Sequence, residues 1–159
     1  MTAQTDTDYR HTQRGYWHLL LDGFGVLMMA LAVFSGEPYA ARLLFLGMGA
    51  MFLLLGASFR SLTVEDRGDR LCVGFGPLPL FRTSIPYDDI REVEVGRTLL
   101  LEGWGIHLSL LRGGWVWNIW GRQCVVIRRR RRSTLRVGTD DAEGLADFLR
   151  RHIGTGHGM

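Results

Sequence analysis

Apolar residues run almost without a break over 17–34 and again over 41–59, separated only by the polar joint Ser35-Gly36-Glu37-Pro38-Tyr39-Ala40. From Ser61 onward the pattern changes to short runs in which apolar and polar residues alternate, broken by Gly and Pro. The first pattern predicts two helices. At about 1.5 Å per residue each reaches across a hydrocarbon core of roughly 30 Å, and the short joint makes them a transmembrane hairpin spanning residues 16–59. The second pattern, with period two, predicts strands over 61–65, 70–75, 80–85, 90–95, 105–110, 116–120, 123–128 and 134–137. Asp66-Arg67-Gly68-Asp69 reads as the tight turn of the first strand pair.

One amphipathic helix closes the chain. Asp140 and Glu143, three apart, form a capping-box pattern with Asp140 as acceptor. Leu145, Phe148, Leu149 and Ile153 make an apolar stripe, and Arg150 and Arg151 stand near the negative end of the helix dipole. The sequence therefore divides into a polar N-terminal tail over 1–15, the hairpin, one domain over 60–153 and a frayed tail over 154–159. About a hundred residues beyond the hairpin suffice for one compact domain and not for two.

Charge sets the expected orientation. Arg10 and Arg14 precede the first span and Arg60, Arg67 and Arg70 follow the second, while the joint carries none; only Arg42, just inside the second span, counts the other way. By the positive-inside rule both termini and the domain face the cytoplasm, in a multi-pass protein of the inner membrane, with Tyr16, Trp17 and Tyr39 at the interfaces. All the basic side chains are Arg, with no Lys anywhere. Coding bias accounts for that plainly; a surface suited to bidentate phosphate or carboxylate contacts is the functional alternative. Cys72 and Cys124 lie in alternating segments and read as buried reduced thiols. No metal-ligand spacing is present.

Three sets of residues are candidates for contact chemistry. Asp22 is the ionisable group inside a span, within a turn or two of the interface and in reach of His18 or Arg60. Gly49 and Gly56, one heptad apart like Gly23 and Ala30, permit close helix approach, either within the hairpin or with another membrane protein. Arg128, Arg129, Arg130, Arg131 and Arg132 cannot occupy a strand interior with one buried face, so they belong at an exposed strand end and turn. There they form a candidate contact for anionic lipid. Trp104, Trp115, Trp117 and Trp120 gather around one predicted strand pair. Trp115, Trp117 and Ile119 share one face, Val116, Asn118 and Trp120 the other, so one or two Trp should be exposed as a candidate interface.

Catalysis has little support. The Gly-containing fragments lack a dinucleotide fingerprint, and no P-loop, GxSxG or HExxH occurs. Asp88 and Asp89 read as turn caps rather than an acid–base pair, and His107 as structural. No catalytic residue, cofactor or metal is expected, and the membrane tether argues against a nucleic-acid partner.

The ordered set Ile85-Pro86-Tyr87-Asp88-Asp89-Ile90-Arg91-Glu92-Val93, Gly103-Trp104-Gly105-Ile106, Gly114-Trp115-Val116-Trp117-Asn118-Ile119 and Arg136-Val137-Gly138-Thr139-Asp140-Asp141 resembles the bacterial pleckstrin-homology-like proteins that carry an N-terminal transmembrane hairpin. The resemblance implies an α+β membrane protein whose seven-stranded antiparallel β-barrel is capped by the C-terminal helix. It implies a non-enzymatic binding or scaffolding module, since such barrels act mainly by holding lipid or protein. The expected partners are anionic membrane lipids and a membrane protein or a second copy of the chain. The alternative is a structural or assembly subunit of a larger membrane complex.

Overall fold

The computed structural model describes residues 9–36, 38–78, 80–98, 105–109 and 113–155. Its helical hairpin is inserted between two neighbouring strands of one sheet. Strand β1 (Arg10–Arg14) precedes the first helix, β2 (Ser61–Asp66) follows the second, and the two pair antiparallel from Arg10↔Glu65 to Arg14↔Ser61. The polar tail expected over 1–15 thus contains an edge strand. Its sequence, RHTQR, has no apolar alternation to betray it. Its inward residue is instead polar: Gln13 is buried and its Nε2 donates to the Trp120 carbonyl at 2.8 Å.

Helices α1 (His18–Phe34) and α2 (Tyr39–Ser58) pack on each other where glycine removes the side chains. A Cβ on Gly25 would lie 3.1 Å from the Gly49 carbonyl oxygen, and one on Gly49 3.0 Å from that of Gly25. Phe24 and Phe52 meet beside this crossing, ring centroids 5.9 Å apart. Elsewhere the pair turns its large apolar side chains outward, among them Leu20, Val26, Val33, Leu44 and Leu54. Helix α2, with 20 residues, is long and apolar enough to cross a bilayer; α1 is apolar but shorter, at 17. Only 11% of the apolar stretch of α2 is buried, which is not how a core helix of a globular domain sits.

The domain is α+β, with two sheets and helix α3 (Ala142–Thr155). In the first sheet, β3 (Arg70–Gly76) and β4 (Arg82–Pro86) extend the order to β1-β2-β3-β4, all antiparallel. The expected Asp66–Asp69 turn is present: Gly68 takes a positive φ of 82° and its N–H donates to Asp66 Oδ1 at 2.8 Å. The second sheet contains β5 (Ile90–Arg97), β6 (Gly105–Leu108), β7 (Trp115–Asn118), β8 (Gln123–Arg129) and β9 (Leu135–Gly138), ordered β5-β8-β9-β7-β6.

Instead of seven antiparallel strands, the described residues form nine in these two sheets, and β7 pairs with β9 in parallel. The parallel pair follows from the chain path: β7 and β8 run in opposite directions, and β9 folds back from β8 into the space between them. The core lies between the sheets, where Val73, Phe75 and Ile85 meet Trp117, Val125 and Ile127. Leu145, Phe148 and Leu149 of α3 close it, each buried as their stripe requires. The helix cap is one residue later than expected. Asp141 Oδ1 accepts the Gly144 N–H at 3.2 Å, while Asp140 reaches across to His11 Nε2 at 2.5 Å. Helix α3 extends through Thr155, two residues into the expected tail, and residues 156–159 lie outside the described residues.

Candidate functional site

The arginine run splits into side chains with different fates. Arg128, still on β8, pairs across the sheet with Glu92 at 3.5 Å and Glu94 at 3.1 Å. Arg129 is half-buried, and its Nε donates to the Ser133 carbonyl at 2.7 Å. Burial holds its guanidinium below the usual arginine range, and Arg132 pushes the same way against the opposing pull of Asp89. The strand then ends and the chain turns, as five successive arginines demand.

Asp89 anchors that turn. Its carbonyl accepts the Arg130 N–H at 2.7 Å and its Oδ1 the Arg131 N–H at 2.9 Å, so backbone and carboxylate of a buried residue each hold one amide of the turn. Of the two aspartates expected to cap a turn, Asp89 does so, for a turn some forty residues away along the chain. Arg131 and Arg132 extend their side chains into solvent from this fixed loop.

Arg129 and Arg132 line a groove of about 590 Å³ that opens between the two sheets. Leu80, Phe81, Ile106 and Trp115 supply its apolar surface, while the Arg82 side chain turns away over Gly74 on the outer face of the first sheet. No carboxylate lines it among the described residues. Phe81 and Ile106 carry no sequence signal of their own, because only the sheet packing brings the β3–β4 connection against β6 and the arginine turn.

The tryptophans do not form one interface. Trp115 is exposed at this groove; Trp117 is in the core, 5.7 Å from the Phe75 ring; Trp120 is exposed at the helix end of the domain, edge-on to Tyr16 at 5.5 Å. Trp104 lies outside the described residues. Both faces of β7 are buried from Val116 to Asn118, and β7 is an inner strand between β9 and β6.

A second groove, about 540 Å³ and almost wholly apolar, lies where the hairpin meets the domain. Leu20, Leu21 and Phe24 of α1, Phe52 of α2, and Trp17, Phe59, Gly105 and Ile119 line it. Phe59 also packs on Phe81 of the first groove, ring centroids 5.3 Å apart, and Gly105 and Ile106 are consecutive residues lining one groove each. The two hollows share a wall.

Within the hairpin, Asp22 faces Arg60 at 3.7 Å and occupies the space beside Gly56; His18 instead contacts the Gly15 carbonyl at 2.8 Å. Gly49 meets Gly25, not Gly23, which has nothing within 4 Å of where its Cβ would stand. Asp22, Gly49 and Gly56 are therefore consumed in packing the two helices together.

A third hollow covers the outer face of the first sheet, with Arg10, Arg67, Arg70 and Arg82 at its rim. It reads as a solvated face, since Arg70 is paired with Asp69 at 2.6 Å and Arg67 with Glu65. Cys72 stands half-buried on that face, so only Cys124 is the fully buried thiol expected of both. His107 is half-buried on β6, its Nε2 without a hydrogen-bond partner among the described residues. No three His, Cys, Asp or Glu side chains converge there as a metal site would need. The chain matches no protein-family model and no curated protein sequence.

Proposed function

We propose that this chain is a membrane-anchored, non-enzymatic binding module that holds a basic surface against an anionic leaflet. The observation that carries the reading is the Asp89-anchored turn, which presents Arg131 and Arg132 to solvent on a domain joined at two points to an outward-apolar helix pair. Juxtamembrane arginines gain about 1 kcal/mol each near a negatively charged surface, and a tethered domain cannot diffuse away from it. Because β1 and β2 are adjacent strands, whatever bilayer α1 and α2 cross, both chain segments flanking the hairpin lie on one side of it. The arginines flanking the hairpin favour the cytoplasmic side of the inner membrane. Two packed sheets closed by a C-terminal helix are the part of the pleckstrin-homology-like expectation that supports this reading; the nine strands and the parallel β7–β9 pair depart from it.

The competing reading, an assembly subunit of a larger membrane complex, leaned on Asp22, Gly49 and Gly56 as its contact points. Their use inside the hairpin favours the lipid-facing reading. The test is native mass spectrometry of the full-length protein extracted gently from its own membranes. Anionic lipid retained by the native chain and lost from Arg131→Ser/Arg132→Ser supports the module. A stoichiometric protein partner without selective lipid overturns it in favour of the subunit. The full chain is required, because a fragment beginning at Arg60 lacks strand β1.

A further inference from the structure

We infer that the two grooves sharing the Phe59–Phe81 wall form one binding site for a single anionic phospholipid, its phosphate between Arg129 and Arg132 and an acyl chain in the Trp17–Phe24–Phe52 groove. The inference rests on the membrane-anchored reading above and narrows it from a general basic surface to one site of fixed stoichiometry.

Three observations point to this occupant. The first is charge complementarity. The side chains of Arg129 and Arg132 line the inter-sheet groove, with no carboxylate in its lining among the described residues. Arg129 is half-buried with its charged form disfavoured by burial, which Asp89 offsets only in part, so an anion there compensates its lost hydration and the repulsion from Arg132. Arginine is suited to a phosphate because its planar fork donates two parallel hydrogen bonds. Arg129 donates Nε to the Ser133 carbonyl, and its two terminal nitrogens have no hydrogen-bond partner among the described residues.

The second is the amphipathic lining. Beside the arginines stand Leu80, Phe81, Ile106 and Trp115, more apolar surface than free phosphate needs. The third is continuity. The neighbouring groove is lined by apolar side chains of both helices and opens beside the outward-apolar face of the hairpin. The Phe59–Phe81 ring pair and the consecutive residues Gly105 and Ile106 link the two linings. A charged head and a hydrocarbon chain on one molecule match two such compartments side by side, whereas an acidic peptide would leave the helix-side groove empty.

The full-length protein in neutral detergent, titrated with phosphatidylglycerol or with phosphatidylcholine of the same chains, tests this by native mass spectrometry. The expected result is one phosphatidylglycerol held at least tenfold more tightly than phosphatidylcholine. Arg132→Gln, at an exposed position, should weaken the preference at least fivefold, and Leu21→Trp, which fills the helix-side groove, should weaken the same single site at least fivefold. Far-UV circular dichroism establishes that each variant is folded, and Trp115→Phe, monitored by quenching from brominated phosphatidylglycerol, should lose the saturable component.

Many weakly held phosphatidylglycerol molecules, still reduced by Arg131→Ser/Arg132→Ser, would sink the single site while leaving the basic surface standing. No preference for the anionic lipid in any form would sink both. Binding insensitive to Leu21→Trp, or equal competition by inorganic phosphate, would overturn the shared-site assignment by removing the acyl chain from it.

Discussion

The carboxylate of Asp22 stands where a side chain at residue 56 would have to go, and Gly56 is what admits it to the helix interface. The contact ties α1 to α2 one turn before the hairpin returns to the domain, with Arg60 3.7 Å from the same carboxylate. Gly56→Ala should therefore cost about 1–3 kcal/mol through overpacking. Gly23→Ala, at an open position on α1, should stay within about 0.5 kcal/mol. Thermal unfolding of the two variants in detergent, followed by near-UV circular dichroism, checks the contrast.

The two neighbouring aspartates before α3 do different work. Asp141 caps the helix and accepts the Tyr9 hydroxyl at 2.9 Å; Asp140 holds only a largely exposed pair with His11. Asp141→Ala should lose about 1–2 kcal/mol, and Asp140→Ala less than about 1 kcal/mol. The shift of urea midpoint at constant slope separates them.

Alkaline stability should depend on two phenols. Burial first, then hydrogen bonding to a carboxylate, raises the pKa of Tyr9 (against Asp141) and of Tyr87 (against Asp66) above the ordinary value of 10.0. The folded state thus keeps these protons when the unfolded chain releases them. Their contribution is fully present below about pH 10 and falls away as pH rises beyond it. Tyr9→Phe and Tyr87→Phe should each flatten the decline of stability above about pH 10. Denaturant titrations across that range measure the slope.

Glu92 and Glu94 hold Arg128 on the sheet surface. Glu92→Gln/Glu94→Gln releases that cation and removes two negative charges beside the basic turn. Retention of anionic lipid by the full chain should rise roughly thirtyfold, in line with about 1 kcal/mol for each of the two charges gained. It should also become more sensitive to salt.

Much of the domain could be read from the chain because its strands alternate and its turns carry Gly, Asp or Pro. Eight expected strands have counterparts among the described residues, within a few residues at each boundary. Strand β1 escaped because it buries Gln13 rather than an aliphatic side chain, so period-two hydrophobicity had nothing to register. The exposed end of β8 was legible from the arginines alone, since no sheet tolerates five in a row facing both ways. The groove beside it was not. Phe81 and Ile106 reach Arg129 and Arg132 only through sheet packing, a long-range relation that local periodicity does not encode. The heptad of Gly49 and Gly56 signalled close approach correctly, but its partners, Gly25 and Asp22, do not share that spacing.

Strand β1 ends at Arg14 and α1 starts at His18; α2 ends at Ser58 and β2 starts at Ser61. Both connections are too short to act as swivels, and Gly15 N–H donates to the Arg60 carbonyl across them at 3.3 Å. The domain is thus geared to the helices. In the proposed membrane setting, a change in their tilt, from bilayer thickness or lateral pressure, would rotate the sheets and the arginine turn with it, so the angle at which that turn meets the leaflet would be set by the membrane itself.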